Sequence, residues 1–151
     1  MNPAPIKGLW QLRFTVLKAA LPVLGNPLSY NKADSLTLKQ FYYGSANALP
    51  EKEVKVLFDR WTIPAPCKPL FQAATASFVG IETKVNTDNT IRGPLLITGG
   101  EKDNQAPPIL GKASKKKYDS SVVSDFKLFE GRGHSIAIDN GWKEVAKYSH
   151  D

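Results

Sequence analysis

The sequence predicts an α/β fold in which a helical region is followed by a βαβ unit with parallel strands and a C-terminal helix. Two short apolar runs, residues 94–98 and 126–129, have the length and composition of buried strands. Between them lies a segment with the signals of a helix, and before residue 80 apolar residues recur at helical spacing. A strand, a helix and a second strand joined by short loops form a crossover in which the strands are parallel.

The helical region covers residues 1–80, and its predicted helices span residues 8–21, 36–49, 50–61 and 70–78. The first helix is apolar on most sides, since its polar residues form only a narrow stripe. Pro22, Gly25 and Pro27 are expected to end it and to make a turn. Asp34 or Ser35 is the expected N-cap of the second helix, and Pro50 opens the third. A nearly all-apolar helix needs to be covered by other structure.

The second half, residues 81–151, begins with a polar linker and then contains the βαβ unit. Its helix is expected to open at Pro107 and to close at the run Lys115-Lys116-Lys117, whose charges suit the C-terminal end of the helix dipole. A last helix is expected over residues 141–150. Asp103 follows the first strand and His134 follows the second, so both should lie at the same edge of the sheet, where open α/β sheets place their sites.

Composition limits the function classes. A content of 42% hydrophobic and 23% charged residues in 151 residues is typical of one soluble globular domain. The net charge of +6 is scattered, so no nucleic-acid partner is expected. Cys67 is the only cysteine, which excludes an internal disulfide and a multi-cysteine metal site, and we expect it to be a small half-buried residue. No cofactor is expected.

The most apolar stretch, residues 9–24, is too short and too often interrupted by polar residues to span a membrane. It also lacks the pattern of a secretory signal, and a single cysteine suits a reducing compartment. A cytoplasmic location is therefore expected.

An acid followed by a histidine in a glycine-flanked turn is the downstream part of a Ser-Asp-His order. In such a triad the carboxylate accepts the Nδ1 proton of the imidazole, and Nε2 takes the proton of the nucleophile. Two other interpretations stay open from the residues alone. Asp103 could cap the helix that begins near Pro107, and a single His134 in a turn could be structural.

Two blocks of the sequence resemble the acid and histidine blocks of cap-bearing α/β-hydrolases: RGPLLITGGEKD at residues 92–103 and GRGHS at residues 131–135. The resemblance extends over essentially the whole chain, because residues 2–5 are similar to the end of the sixth strand and residues 9–78 to the helical cap. It implies a partial α/β-hydrolase fold, with residues 1–80 as cap and 81–151 as the C-terminal part of the core. It also implies that Asp103 and His134 are catalytic residues of a serine hydrolase of the esterase or lipase kind.

The nucleophile that such a triad needs is not found in the sequence. In the family, the oxyanion loop and the G-x-S-x-G elbow precede the positions that match residues 2–5. Ser135 imitates the elbow, but residues 136–151 are too few to supply a following acid, histidine and further strands. Ser45 lacks a preceding strand and the second glycine. We therefore expect the chain to be inactive alone.

Three functions follow from these residues. The first is a fragment of a serine hydrolase that has no turnover on its own, and that would act on a small apolar or ester substrate only if an N-terminal half completed it. The second is one half of a split hydrolase, completed by a complementing chain. The third is a non-catalytic module whose helical region binds an apolar ligand or a protein partner. In each case two strands with open edges predict self-association.

Overall fold

The computed structural model describes residues 6–9, 13–75, 84–118 and 121–150. These ranges contain six α-helices and four strands in an α/β arrangement. In chain order the elements are α1 (Phe14–Leu24), β1 (Ala33–Asp34), α2 (Leu38–Phe41), α3 (Glu51–Trp61), β2 (Ala65–Pro66), α4 (Lys68–Thr75), β3 (Leu95–Gly100), α5 (Pro108–Lys117), β4 (Ser124–Phe129) and α6 (Trp142–His150). A π-helical turn, Tyr42–Ala46, continues α2, and a short 3-10 turn, Pro27–Ser29, follows α1.

The predicted βαβ unit is confirmed. β3 pairs with β4 in parallel, from Leu95 opposite Ser124 to Gly100 opposite Phe129, and α5 contacts both strands. A Cβ atom at Gly111 of α5 would lie 2.3 Å from the ring of Phe126. The helix backbone therefore lies directly on this ring, which brings α5 close to the sheet. The partial α/β-hydrolase fold and the division at residue 80 stay predictions.

The lysine run ends α5 as expected, and one of its members pairs with the neighbouring strand. Lys115 Nζ donates a hydrogen bond of 2.8 Å to Oδ1 of Asp125. That bond, with a second one from the Phe126 N–H, holds the pKa of the Asp125 carboxyl below its ordinary value. The pair is exposed, so it joins α5 to β4 only weakly.

The N-cap of the second predicted helix differs from the expectation. Thr37 Oγ1 accepts from the Gln40 N–H, and Gln40 Oε1 accepts from the Thr37 N–H at 2.8 Å, which is a capping box. Asp34 instead lies in β1, which pairs antiparallel with β2, and its Oδ1 accepts from the N–H of Ser35. The prediction of Asp34 or Ser35 as N-cap was wrong because the glutamine three residues after Thr37 makes the reciprocal bond.

The core of the helical region lies between α2, the π-helical turn and α3. Its buried members are Phe41, Ala46, Val54 and Leu57. The Phe41 ring also meets the Phe58 ring edge to face, with centroids 5.7 Å apart. Val54 and Leu57 come from the predicted third helix, which follows Pro50 as expected. This core fixes the place of the π-helical turn.

Helix α1 begins at Phe14 rather than at residue 8, and it continues past Leu21, its expected last residue. Pro22 lies inside the last turn, where its missing N–H costs one hydrogen bond, and the helix ends where the Gly25 N–H donates to the Leu21 carbonyl at 2.9 Å. No residue of α1 is buried in the described structure. The side chains of Phe14, Leu17 and Leu21 are 77%, 49% and 63% exposed. Helix α1 contacts α4, but the apolar surface formed by Phe14, Leu17 and Leu21 stays exposed among the described residues.

Some expectations fall on residues outside the described ranges. These are the strand expected at residues 2–5, the first helix over residues 10–12, the end of the fourth helix at residues 76–78 and the start of the linker at residues 82–83. In the part of the chain that the structure describes, no helix has both the length and the apolar character needed to cross a membrane.

The exposed face of α1 predicts self-association. We expect the unmodified chain to form larger species as its concentration rises, because burying Phe14 and Leu21 between copies removes apolar surface from water. The double substitution Phe14→Glu and Leu21→Lys should shift the chain toward the monomer in sizing with light scattering. The control is Val56→Glu, at an exposed apolar position of α3. A monodisperse monomer of the unmodified chain at all concentrations would contradict this prediction.

Candidate functional site

The structure brings Asp103 and His134 together. Oδ2 of Asp103 lies 2.9 Å from Nδ1 of His134, with the Asp103 side chain fully buried and the His134 side chain 33% exposed. A carboxylate can only accept, so Nδ1 of His134 is the donor. Nε2 is then the ring nitrogen that can accept a proton from another group.

The second carboxylate oxygen of Asp103 orders the loop that carries it, which we call the acid loop (residues 101–107). Oδ1 accepts from the backbone N–H groups of Gln105 and Ala106, both at 2.8 Å. Asp103 does not cap α5, since Pro107 is the N-cap and no side chain bonds there. Each oxygen of Asp103 thus has its own partners, which holds the carboxylate in one orientation toward His134.

The acid loop and the turn that carries His134, which we call the histidine turn (residues 130–141), join at the ends of β3 and β4. The Glu101 N–H donates to the Phe129 carbonyl at 3.0 Å, and the Lys102 N–H donates to the Arg132 carbonyl at 2.8 Å. Glu101 Oε2 accepts from the N–H of Gly131, whose φ of +68° is one that glycine adopts readily. These bonds continue the strand pairing into the two loops.

Gly100, the last residue of β3, allows this close approach. A Cβ atom there would lie 2.2 Å from the Gly133 carbonyl oxygen and 2.6 Å from that of Arg132. Both are backbone atoms of the histidine turn, so they cannot move aside as a side-chain tip can. Any residue larger than glycine at this position would force the backbone of the histidine turn to shift.

We expect Gly100→Ala to lower the free energy of unfolding by about 1–3 kcal/mol, the usual cost of overpacking. The measurement is chemical denaturation followed by circular dichroism. Gly93→Ala is the matched control, because a Cβ atom at Gly93 meets no atom within 4 Å. Equal losses in the two variants would show that the contact of residue 100 with the histidine turn is not tight in solution.

A buried ion pair closes the histidine turn. The Arg132 guanidinium contacts Oδ1 of Asp139, with side chains 14% and 1% exposed, and the same oxygen accepts from the Gly141 N–H at 3.0 Å. Nη1 of Arg132 also lies 3.5 Å from Oε2 of Glu144, whose side chain is exposed. Sequence reasoning missed this pair, since a spacing of seven residues in a turn carries no pattern. Through these contacts Asp139 holds the shape of the turn around His134.

Arg132→Ala should lower the free energy of unfolding by on the order of 3 kcal/mol, because it leaves the Asp139 carboxylate buried without its counter-ion. The control is Lys55→Ala, which removes the exposed pair with Asp59 in α3 and should cost less than about 0.5 kcal/mol. Urea denaturation of both variants measures the difference. If the two curves have the same midpoint, Asp139 is not held by Arg132 in solution.

Neither serine weighed as a nucleophile is arranged as one. Ser135 is buried, and its hydroxyl donates to the Ser45 carbonyl at 2.7 Å. A nucleophile elbow is a strained turn, and no non-glycine residue in the described ranges has a positive φ. Ser45 lies in the π-helical turn, where its hydroxyl accepts from Nε2 of Gln105 at 2.8 Å. Both hydroxyls therefore serve contacts between segments of the chain.

The aromatic side chains of the helical region have two roles. Phe41 belongs to the core, and it also lines a cavity of about 270 Å³ together with Trp61 and Cys67. Cys67 is fully buried rather than half-buried, and its N–H donates to the Lys32 carbonyl at 3.0 Å. Asp103 and His134 do not line this cavity. Among the described residues, no group of three or more histidine, cysteine or acidic side chains is arranged to hold a metal ion.

Comparisons of the chain with protein-family models and with curated protein sequences gave no match. The likeness of residues 92–103 and 131–135 to the blocks of cap-bearing α/β-hydrolases therefore stays a prediction. A function has to be argued from the contacts of Asp103 and His134.

Proposed function

We propose that this chain contributes the acid, Asp103, and the histidine, His134, of a Ser-Asp-His triad that hydrolyses ester or similar bonds in small apolar substrates. The observation that carries the proposal is the 2.9 Å contact between a fully buried carboxylate and Nδ1 of a partly exposed imidazole. The two residues follow neighbouring parallel strands at their carboxyl ends, which is where open α/β sheets place their sites.

In this reaction Asp103 accepts the Nδ1 proton and holds the imidazole in one tautomer. Nε2 of His134 takes the proton of a serine hydroxyl as its oxygen attacks the substrate carbonyl, and later gives it to the leaving group. The Asp103 carboxylate stabilises the imidazolium between these steps. The hydroxyls of Ser135 and Ser45, the two serines that the sequence places in elbow-like contexts, are engaged in other contacts. In this proposal the serine and the oxyanion donors therefore come from another polypeptide segment.

The test is complementation. The DNA upstream of the Met1 codon is read for a segment that encodes a G-x-S-x-G elbow. The polypeptide that this segment encodes is then mixed or co-expressed with the 151-residue chain. We expect hydrolysis of an aryl ester by the mixture, a loss of about 10⁴-fold with Asp103→Asn, and a similar loss with His134→Ala. The matched controls are Asp125→Asn and His150→Ala, which change the same residue types away from the pair and should retain full activity.

The chain alone should hydrolyse no ester and should not react with a serine-directed fluorophosphonate. Stoichiometric labelling of the chain alone that disappears with His134→Ala would place the nucleophile inside these residues and overturn the need for a second segment. A complemented chain whose activity survives both Asp103→Asn and His134→Ala would overturn the triad itself.

The exposed apolar face of α1 and the cavity beside Trp61 favour a second candidate, a non-catalytic module that binds an apolar ligand or a protein partner. Binding of a hydrophobic dye that is unaffected by Asp103→Asn and His134→Ala, with no activity on complementation, would favour it over the hydrolase. For either function we expect the chain to act in the cytoplasm, because its single cysteine suits a reducing compartment.

A further inference from the structure

The segment made of the π-helical turn and the residue after it is hydrogen-bonded to the histidine turn through Ser45. The carbonyl of Ser45 accepts two hydrogen bonds from Ser135, one from its N–H at 3.2 Å and one from its hydroxyl at 2.7 Å. Ser135 directly follows His134 in the chain. Farther along the turn, the Asn140 N–H donates to Oε1 of Glu53 in α3 at 2.6 Å. The helical region therefore contacts the histidine turn at two points. One is Ser135, directly after His134, and the other is Asn140, near the end of the turn.

The same segment is bonded to the acid loop on both sides of Asp103. The three bonds run from Asn104 Nδ2 to the Tyr43 carbonyl at 2.8 Å, from Gln105 Nε2 to Ser45 Oγ at 2.8 Å, and from Asn47 Nδ2 to the Lys102 carbonyl at 2.9 Å. Lys102 and Asn104 are the two chain neighbours of Asp103. We call residues 43–47 the bridging turn, since they contact both loops.

The packing at the bridging turn is close. A Cβ atom at Gly44 would lie 3.3 Å from Nε2 of Gln105, and one at Gly133 would lie 3.1 Å from Oδ1 of Asn47. π-helical turns are rare and occur often at functional sites. Here the turn presents the carbonyls of Tyr43 and Ser45 to side chains that are 61 and 90 residues away in the sequence. Two residues of the π-helical turn, Tyr43 and Ser45, thus make the contacts to the acid loop and the histidine turn.

We propose that the bridging turn sets the geometry of the Asp103–His134 pair, and that Ser135 and Asn47 are positioning residues for it. Beyond the ends of β3 and β4, the ladder no longer holds the two loops, and the backbone bond from Lys102 to the Arg132 carbonyl is one link between them. The bond from the Gly131 N–H to Glu101 Oε2 is another. The bridging turn adds hydrogen bonds from a third segment to both loops. A role of the bridging turn in catalysis rests on the proposed function. The geometry of the Asp103–His134 pair, in contrast, can be measured without any activity.

Nuclear magnetic resonance of the imidazole nitrogens provides the test, because the chain has two histidines and His150→Gln assigns their signals. In the unmodified chain we expect His134 in the tautomer protonated at Nδ1, with slow exchange of that proton with water. Ser135→Ala should speed this exchange by on the order of two- to tenfold, the factor that one hydrogen bond of ordinary net strength represents. Ser149→Ala is the matched control, because it removes the same kind of bond, from Ser149 Oγ to the Val145 carbonyl at 2.8 Å, within α6.

Asn47→Ala tests the same role from the side of the acid loop, and it keeps the proposal falsifiable if Ser135→Ala fails to fold. It should also speed the exchange, and circular dichroism melts establish that each variant is folded. If folded Asn47→Ala, and Ser135→Ala where it folds, leave the proton exchange and tautomer of His134 unchanged, the positioning role is overturned.

Asp103→Asn separates this result from the proposed function. If Asp103→Asn changes the His134 signals and the two positioning variants do not, the pair exists and only the role of the bridging turn fails. If Asp103→Asn leaves the signals of His134 unchanged, the pair is not formed in solution, and both the proposed triad and this inference fail.

Discussion

Parallel pairing of β3 with β4 places the carboxyl ends of both strands at one edge of the sheet, and the loops that leave them there carry Asp103 and His134. The register decides which residues meet, since Gly100 lies opposite Phe129 and the next bonds already belong to the loops. A shift by one residue would turn each strand's side chains to the other face. It would also move Gly100 away from the backbone that it touches in the histidine turn. The rest of the site depends on this one pairing.

Two buried carboxylates lie within the loops beyond that edge. Burial of a charged group is costly unless it is paired and hydrogen-bonded, and each carboxylate has its own partners. Asp139 is almost completely buried against Arg132, which suits a structural role in closing the turn. Asp103 is equally buried, but its partner is an imidazole that remains a third exposed. The two pairs thus differ in the exposure of the carboxylate's partner, because the Arg132 side chain is 14% exposed and the His134 side chain is 33% exposed.

Local patterns predicted the elements of the second half well. The strands, α5 and α6 begin and end within about two residues of their expected limits, because proline, glycine and the lysine run mark those ends directly. The errors in the helical region have local causes as well. Pro22 near the end of α1 loses a single hydrogen bond, so the helix continues past it, and the capping box at Thr37 outweighs Asp34 and Ser35 as the start of α2.

The sequence by itself determined the α/β class, the βαβ unit and the expectation that Asp103 and His134 share one edge of the sheet. These features depend on periodicity and on residues close in the chain. Only the tertiary structure decided three features for which the sequence has no pattern, namely the Arg132–Asp139 pair, the short β1–β2 pairing and the hydrogen bonds of the bridging turn. The bonds from the bridging turn join residues 55 to 90 positions apart. The residues that make these bonds follow no periodicity in the sequence. The bonds can therefore be identified only in the folded structure, in which the core around Phe41 and the sheet bring the segments together.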